Sequence, residues 1–194
     1  MPLQESAKRK GELRVQARRI LAAERSRPAA IAVRTLCELP ELGRARTVAL
    51  YAAIGDEVPV DAAAGAILQR GGRTLYPVRT DAGLELALVG GEHRLWPGPS
   101  GIGEPGLDAP RVDVDEVDVF VVPGLLFDRA GRRLGRGGGQ YDRLLARARA
   151  DAASIGICYA DRVVDELPQD PWDIAMSLVV TDRFVLRSAD GWRS

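Results

Sequence analysis

The stretch VDVFVVPG, residues 117–124, is the most strand-like run in the chain and decides the expected fold. Valine or phenylalanine fills each position from 119 to 122, so a strand here would be apolar on both of its faces. Such a strand is typical of the centre of a parallel sheet that helices cover on each side. We therefore predict that this run forms a central strand of an α/β fold.

Strand-like and helix-like patterns alternate along the chain on both sides of this run. The further strand-like runs are RTVALYAAI (46–54), RTLYPV (73–78), ASIGICYA (153–160) and, last, AMSLVVTD (175–182), with GLELALVG (83–90) as an added strand at one side. Helical patterns cover residues 6–27, with Ser6 as the cap, then PAAIAVRTLCEL (28–39), VPVDAAAGAILQRGG (58–72) and QYDRLLARARA (140–150). This alternation predicts a mainly parallel central sheet flanked by helices, a Rossmann-like three-layer arrangement in a single domain over residues 1–194.

The composition narrows the classes of function. Lys and Arg total 27, as do Asp and Glu, and this neutral balance argues against a general nucleic-acid binder. Because the chain has one histidine, a zinc site and acyl-enzyme chemistry with a histidine base are both disfavoured. Cys37 and Cys158 fit small, buried apolar positions. The sequence has no apolar run that resembles a signal peptide or is long enough to span a membrane, so we expect a cytoplasmic protein that does not bind membranes. We also expect it to be a monomer and not to bind nucleic acid.

Residues 90–112 are rich in glycine and proline and form a stretch that is long for a loop. Loops of this length are usually functional or disordered. The composition leaves two alternatives open: a plain surface excursion, or a segment that closes over a ligand.

The central run is followed by the stretch GRRLGRGGGQYD, residues 131–142, in which arginines surround three consecutive glycines. Residues 137–139, all glycine, can adopt positive φ and bring their amide N–H groups close to an anion. Forked guanidinium donors suited to phosphate oxygens are supplied by Arg132, Arg133 and Arg136. Parallel sheets bind ligands beyond the carboxyl ends of their strands, and this loop follows such an end.

Asp142 would repel phosphate groups on its own but is well placed if Mg²⁺ lies between them. A helix that begins near Gln140 would also point its first amides at the same spot. The loop is therefore predicted to hold a polyphosphate together with its metal ion. A flexible arginine-rich loop with a helix-capping aspartate is the alternative that the residues leave open.

Further polar positions fit such a site. Lys10 and Arg14 lie four residues apart, so they share one helix face and can grip the same anion. Glu57 follows the end of a predicted strand, where polar site residues cluster, and Asp173 precedes the last strand as a candidate second metal ligand. Each position also has a structural alternative. Lys10 and Arg14 could lie on a solvated helix face, Glu57 could belong to a turn before Pro59, and Asp173 could cap a helix or lie in a turn.

Several segments, in order along the chain, resemble the 5-formyltetrahydrofolate cyclo-ligase family, also called 5,10-methenyltetrahydrofolate synthetases. They are KGELR (10–14), TVALYAAIGDEV (47–58), GPSGIGEP (98–105), VVPGLLFDRAGRRLGRGGGQYDRLL (121–145) and VVDELPQDPWDIAMSLVVTD (163–182). The likeness covers nearly the whole chain. Several matching segments in the same order as in the family are far more specific evidence than any single matching segment.

The resemblance implies an ATP- and Mg²⁺-dependent ligase of folate one-carbon metabolism. ATP would phosphorylate the formyl oxygen of 5-formyltetrahydrofolate, and the neighbouring folate nitrogen would attack the activated carbon. Ring closure would then release phosphate, so that the products are 5,10-methenyltetrahydrofolate, ADP and phosphate.

Matched position by position, the family's pattern implies roles for individual residues. ATP would be held by Lys10, Arg14, Arg133, Leu134, Gly135, Arg136, Gly137, Gly138, Gly139, Gln140 and Tyr141. The folate substrate would contact Ala52, Glu57, Arg136, Gly137, Gly138, Gly139 and Gln140. Asp142 and Asp173 would bind Mg²⁺. Arg136 would be catalytic, because it would stabilise the charge that develops on the transferred phosphoryl group.

The chain departs from the family's pattern at three positions. Gln140 replaces the first of two tyrosines, Ala52 replaces a larger apolar residue, and Trp172 replaces a frequent histidine beside Asp173. A phosphosugar isomerase on a similar scaffold and a non-catalytic folate or nucleotide binder are the alternative functions. Release of ADP in the presence of 5-formyltetrahydrofolate distinguishes the ligase from both.

Overall fold

The structure, a computed structural model, describes the backbone of residues 3–23, 29–98 and 101–188, with side chains throughout except at residues 20–23. Its helices are α1 (Leu3–Ala23), α2 (Ala29–Glu38), α3 (Pro40–Arg44), α4 (Asp61–Gln69) and α5 (Gln140–Leu145). Its strands are β1 (Thr47–Ala49), β2 (Arg73–Thr80), β3 (Gly83–Val89), β4 (Leu95–Pro97), β5 (Gly103–Pro105), β6 (Arg111–Val112), β7 (Val119–Val122), β8 (Leu126–Asp128), β9 (Arg133–Leu134), β10 (Ala153–Ile157), β11 (Val163–Val164), β12 (Leu178–Val180) and β13 (Val185–Arg187).

The main sheet has eight strands in the order β13-β12-β10-β7-β1-β2-β3-β6. Pairing is parallel from β12 through β10, β7 and β1 to β2, while β13, β3 and β6 pair antiparallel at the two edges. β11, β8 and β9 form a small second sheet, and β4 pairs with β5 in a hairpin. The predicted α/β fold with a mainly parallel central sheet is confirmed.

β7, the strand predicted at the centre, buries side chains on both of its faces. Val119 and Val121 pack in the cluster that includes α2, α3 and α4, whereas Phe120 and Val122 pack in the cluster that includes α5. Burying a side chain of this size contributes about 1.5–3 kcal/mol relative to leaving it in water. Apolar residues at four successive positions therefore require helices on both faces, which gives the predicted three layers.

The start of the chain differs from its prediction. α1 begins at Leu3, so Ser6 lies buried within the helix and the prediction that it caps the helix was wrong. Residues 24–28 and the side chains of Ile20 and Leu21 lie outside what the structure describes. α2 ends at Glu38, and Pro40 opens the short helix α3, because its fixed φ and missing N–H suit a first helical turn.

Two differences concern the second half. α5 ends at Leu145 instead of continuing to residue 150, because tight turns follow in which Ala148 N–H donates to Leu145 O at 3.0 Å. Arg149, beyond these turns, is held by Asp118 beside the main sheet. Seven strands of the described residues were not predicted: β4 and, in the second half, β5, β6, β8, β9, β11 and β13. Of these, β6 and β13 form the two edges of the main sheet, where each pairs antiparallel with its neighbour.

α1 packs against the small sheet rather than the large one. Leu13 and Ala17, at helical spacing, are buried against Leu125, Leu126, Leu134 and Leu167. Leu134 belongs to β9, the strand directly before the glycine loop. This contact therefore brings the polar face of α1 to that loop.

Asp118, just before β7, ties the amino ends of two neighbouring strands together. Its Oδ2 accepts the backbone N–H groups of Arg46 and Thr47 at 2.7 and 2.8 Å, and its Oδ1 accepts from Arg149. Burial alone would raise the pKa of Asp118, but these three hydrogen bonds outweigh it and the pKa is lowered. The ionised carboxylate is therefore the form that stabilises the fold.

We expect Asp118→Asn to lower the free energy of unfolding at pH 7 by about 2 kcal/mol, since hydrogen bonds to a charged group contribute about 1.5–3 kcal/mol. A lowered folded-state pKa contributes stability above the unfolded value near pH 3.9, and this stability is lost as the pH falls through the folded value. Urea unfolding from pH 8 to pH 3 should thus show a constant difference from wild type that shrinks below about pH 4. A difference that is independent of pH would contradict this role.

Candidate active site

A cavity of about 560 Å³ opens at the carboxyl edge of the main sheet. Its walls come from the segments after β1 and β7, where Ala52 and Pro123 lie, from Arg79 near the end of β2, and from the loop between β9 and α5. Ligands bind at this edge in parallel α/β sheets. The volume is also suitable, since pockets for small molecules span about 300–1,000 Å³.

Every residue that the family's pattern assigned to the site lines this one cavity. The set is Lys10, Arg14, Ala52, Glu57, Arg133, Leu134, Gly135, Arg136, Gly137, Gly138, Gly139, Gln140, Tyr141, Asp142 and Asp173. These residues come from four separate parts of the chain. Arg132, which the loop's composition also suggested as a phosphate ligand, was a wrong prediction: it pairs with Asp128 and Glu166 and does not line the cavity.

The glycine loop needs its glycines for their backbone conformation. Gly137 has φ of 112° and Gly139 has φ of 60°, conformations that side-chain-bearing residues rarely adopt, whereas Gly138 has no positive φ. Arg14 Nε donates to Gly135 O at 3.0 Å, so α1 is fixed to the loop by a hydrogen bond. α5 has only six residues, so an anion at this loop would depend on loop amides and arginines more than on a long helix.

Arg136 and Glu57 form an ion pair at the rim of the cavity. Arg136 donates to Glu57 Oε1 from Nη2 at 2.8 Å and from Nε at 3.2 Å. The other oxygen, Glu57 Oε2, accepts the backbone N–H of Ile54 at 2.9 Å. The Arg136 side chain is 51% exposed, so the pair orients a guanidinium that a ligand can still reach.

Arg133 and Asp142 form a second, more buried pair. Arg133 Nη2 donates to Asp142 Oδ2 at 3.0 Å, and the Arg133 guanidinium lies 5.6 Å from the centre of the Tyr141 ring. Asp142 Oδ1 accepts the backbone N–H of Ile174 at 3.3 Å. Burial, and then the charge of Glu57, raise the pKa of Tyr141, so its phenol stays protonated at neutral pH.

Lys10 joins α1 to the turn before β12. Its ammonium donates to Asp170 Oδ2 at 2.8 Å and also to Asp173 Oδ2. Burial alone would lower the pKa of Lys10, but the hydrogen bonds to these two carboxylates outweigh it and the pKa is raised. The bond to Lys10 likewise lowers the pKa of Asp170, so Lys10 and Asp170 are both charged at neutral pH.

The two candidate metal ligands fit a magnesium ion that binds together with phosphate. Asp142 and Asp173 line the same cavity. Within residues 3–23, 29–98 and 101–188, no three His, Cys, Asp or Glu side chains lie close enough to hold a metal by themselves. Mg²⁺ is usually bound by one or two carboxylates plus substrate phosphates and waters, which agrees with this donor set.

Sequence reasoning missed several residues of the cavity wall. The 90–112 segment contains the β4–β5 hairpin, and its Ile102, Gly103 and Glu104 line the cavity. Arg79 and Asp170 were also missed. Asp170 lies three residues before Asp173, and this spacing was the one feature of the sequence that could have indicated a role in the site. Its partner Lys10 lies 160 positions away, so the local sequence does not show the pair.

Among the residues that the structure describes, no helix has both the length and the apolar character that a membrane span requires.

Fold and site together define an α/β enzyme class in which a glycine-arginine loop faces a cavity at the carboxyl edge of a parallel sheet. The chain belongs to the 5-formyltetrahydrofolate cyclo-ligase family, whose model matches residues 3–182. The predicted family is thus confirmed, and with it the predicted ligase class.

Three known proteins illustrate the relationship. The chain is 41% identical over 146 residues to 5-formyltetrahydrofolate cyclo-ligase of Mycolicibacterium smegmatis, a match covering 71% of this chain and 74% of that protein. The solution structure of 5,10-methenyltetrahydrofolate synthetase from Aquifex aeolicus has a TM-score of 0.82 and 34% identity, with 95% of both chains covered. The synthetase from Mycoplasma pneumoniae has a TM-score of 0.72 and 26% identity, covering 90% of this chain and 99% of that one.

Proposed function

We propose that this protein converts 5-formyltetrahydrofolate to 5,10-methenyltetrahydrofolate, using ATP with Mg²⁺ and releasing ADP and phosphate. The observation that carries the proposal is the convergence of every family-matched residue in one cavity of about 560 Å³. Membership of the cyclo-ligase family supplies the reaction. The isomerase alternative would need an acid–base pair near the loop, for which Asp56 or Glu57 could serve, and Glu57 is engaged by Arg136 and Ile54.

The phosphate end of the cavity is built from the glycine loop and α1. The amides of residues 137–139 would bind phosphate oxygens, because glycine has no side chain to cover them and tolerates the positive φ found at Gly137 and Gly139. Lys10 and Arg14 supply positive charge from one face of α1, four residues apart as predicted. Asp142 and Asp173 would hold Mg²⁺, which would neutralise charge on the phosphates.

The chemical step needs positioning and charge stabilisation rather than a nucleophile from the protein. The formyl oxygen attacks the γ-phosphorus; a P–O bond to that oxygen forms, and the bond between the γ-phosphorus and the β–γ bridging oxygen breaks as ADP leaves. The neighbouring folate nitrogen then attacks the activated carbon and loses its proton, while the C–O bond breaks and phosphate departs. Arg136 would stabilise the transferring phosphoryl group, and Glu57 would keep its guanidinium oriented.

The apolar part of the cavity wall suits the folate ring. It includes Pro77, Leu84 and Ile102, and Ala52 lies close to Gly103 of the hairpin. Ala52 leaves more room than a larger apolar side chain would, so the ring would be packed by the hairpin as well. The hairpin thus gives the 90–112 segment a substrate-facing role.

The test is the absorbance of 5,10-methenyltetrahydrofolate after addition of 5-formyltetrahydrofolate, with ADP measured in parallel. We expect product only when both ATP and Mg²⁺ are present, with ADP formed in equal amount. Tight binding of folate without ADP would overturn the proposal in favour of a non-catalytic binder. A monomeric state and a cytoplasmic location stay predictions, and light scattering on the purified chain tests the first.

A further inference from the structure

Asp170 contributes to the cavity wall although no sequence motif marked it. Its Oδ2 accepts a hydrogen bond from Lys10 Nζ at 2.8 Å, between side chains that are 10% and 9% exposed. The same ammonium donates to Asp173 Oδ2. Lys10 is thus held by two carboxylates in a nearly buried cluster at the edge of the cavity.

The charges of this cluster do not balance. One ammonium with two carboxylates carries a net negative charge, which by itself would repel a polyphosphate. One carboxylate is enough to neutralise Lys10, so the second is available for another role. Under the proposed function, Asp173 has that role because it is a candidate Mg²⁺ ligand.

The two carboxylates differ in how they are held. The Asp173 side chain is 19% exposed, and its Oδ2 also accepts the backbone N–H of Asp170 at 2.7 Å. Asp173 therefore keeps a hydrogen bond if it releases the ammonium. Asp170 is more deeply buried, and its pKa is lowered first by the bond to Lys10 and then by the Ser6 hydroxyl. Losing the ammonium would leave its buried charge without an oppositely charged partner, which is strongly unfavourable.

We propose that Asp170 is a positioning residue: it keeps the Lys10 ammonium directed into the nucleotide site while Asp173 exchanges its bond to Lys10 for the metal ion. This inference rests on the proposed function. An ammonium has three N–H donors, so a phosphate oxygen can be bound while Asp170 retains its hydrogen bond. Because Lys10 stays paired, α1 remains fixed to the turn at residues 170–173 during turnover.

Asp170→Asn, which keeps the size of the side chain and removes its charge, tests the assignment. Lys10 would then have Asp173 as its one carboxylate partner, so the candidate metal ligand would be tied up. We expect the KM for ATP and the Mg²⁺ concentration for half-maximal activity each to rise about tenfold. The kcat at saturating ATP and Mg²⁺ should stay within about threefold of wild type, because the interactions made in the transition state remain. Asp170→Glu, which restores the charge, should recover most of the loss.

Leu13→Ala is the matched control. Leu13 helps to dock α1 through apolar contacts with β8 and β9 and is not part of the ammonium cluster. If Asp170 only anchored the helix, Leu13→Ala and Asp170→Asn variants with equal losses in the free energy of unfolding would raise the KM for ATP equally. We expect Leu13→Ala to leave that KM within about twofold of wild type.

Calorimetric titration with Mg²⁺ and a non-hydrolysable ATP analogue gives a readout that needs no turnover. We expect Asp170→Asn to bind the analogue about tenfold more weakly than wild type. Equal binding by Asp170→Asn and wild type, or equal weakening in the Leu13→Ala control, would overturn the positioning role. If wild type binds the analogue but makes no methenyltetrahydrofolate, the proposed function fails, while the ratio of the two affinities still judges Asp170.

Discussion

Replacing Arg136 by alanine is expected to lower kcat by about 100- to 1,000-fold, the usual cost of removing one donor that stabilises a developing anion. The guanidinium is bound to Glu57 at 2.8 Å and half-exposed at the cavity rim, so it is oriented yet accessible to a transferring phosphoryl group. The fold should survive, because a pair with one partner this exposed contributes about 1 kcal/mol or less. Steady-state kinetics together with circular dichroism check both expectations.

Two further variants sharpen the Arg136 result. Arg136→Lys keeps the charge but loses the forked donor set, and we expect it to recover only a small part of kcat. Arg129→Ala removes a 73%-exposed arginine of the same segment that does not line the cavity, so its kcat should match wild type. An Arg136→Ala enzyme with wild-type kcat and an intact spectrum would contradict the catalytic assignment.

Asp142→Asn should have the second large effect, on activity and on stability. Its carboxylate is the partner of Arg133, whose side chain is 5% exposed. Removing one partner of a buried ion pair costs about 3–5 kcal/mol, because the remaining charge is left uncompensated. We also expect the loss of a Mg²⁺ ligand to raise the metal concentration needed for activity, which a Mg²⁺ titration measures.

A double variant separates these two roles of Asp142. Arg133→Met combined with Asp142→Asn removes both charges and should recover most of the lost free energy of unfolding, while activity stays low. Recovery of activity along with stability would mean that Asp142 serves only as the counter-charge of Arg133. Urea unfolding and the Mg²⁺ titration on the same preparations give the answer.

The sequence was sufficient where a local pattern had only one good structural solution. Apolar residues at both the odd and the even positions of β7 predicted a parallel strand buried on both faces, and the structure places them against helices on both faces. Three glycines after that strand predicted a bare backbone at the carboxyl edge of the sheet, and Gly137 and Gly139 adopt the positive φ that only glycine tolerates well. The family's pattern then named further wall residues, among them Lys10, Glu57 and Asp173.

The sequence was insufficient where a contact joins distant parts of the chain. Several charged residues predicted for ligand binding are held by oppositely charged protein partners: Lys10 by Asp170 and Asp173, Arg136 by Glu57, and Asp142 by Arg133. No local pattern reports such pairs, and Arg132 was misassigned for the same reason, since Glu166 lies 34 positions away. The end of α5 was missed because residues 146–150 have a helix-like composition but form turns. Arg149 in these turns is bound to Asp118, a contact between distant positions that the local sequence does not show.

A crystal structure with Mg²⁺ and a non-hydrolysable ATP analogue tests the central claim most directly. The account predicts the triphosphate against the amides of residues 137–139, with Arg136 at the γ-phosphate and the metal ion between phosphate oxygens and Asp142. Nucleotide bound in a different cleft, with the loop between β9 and α5 making no phosphate contact, would contradict it.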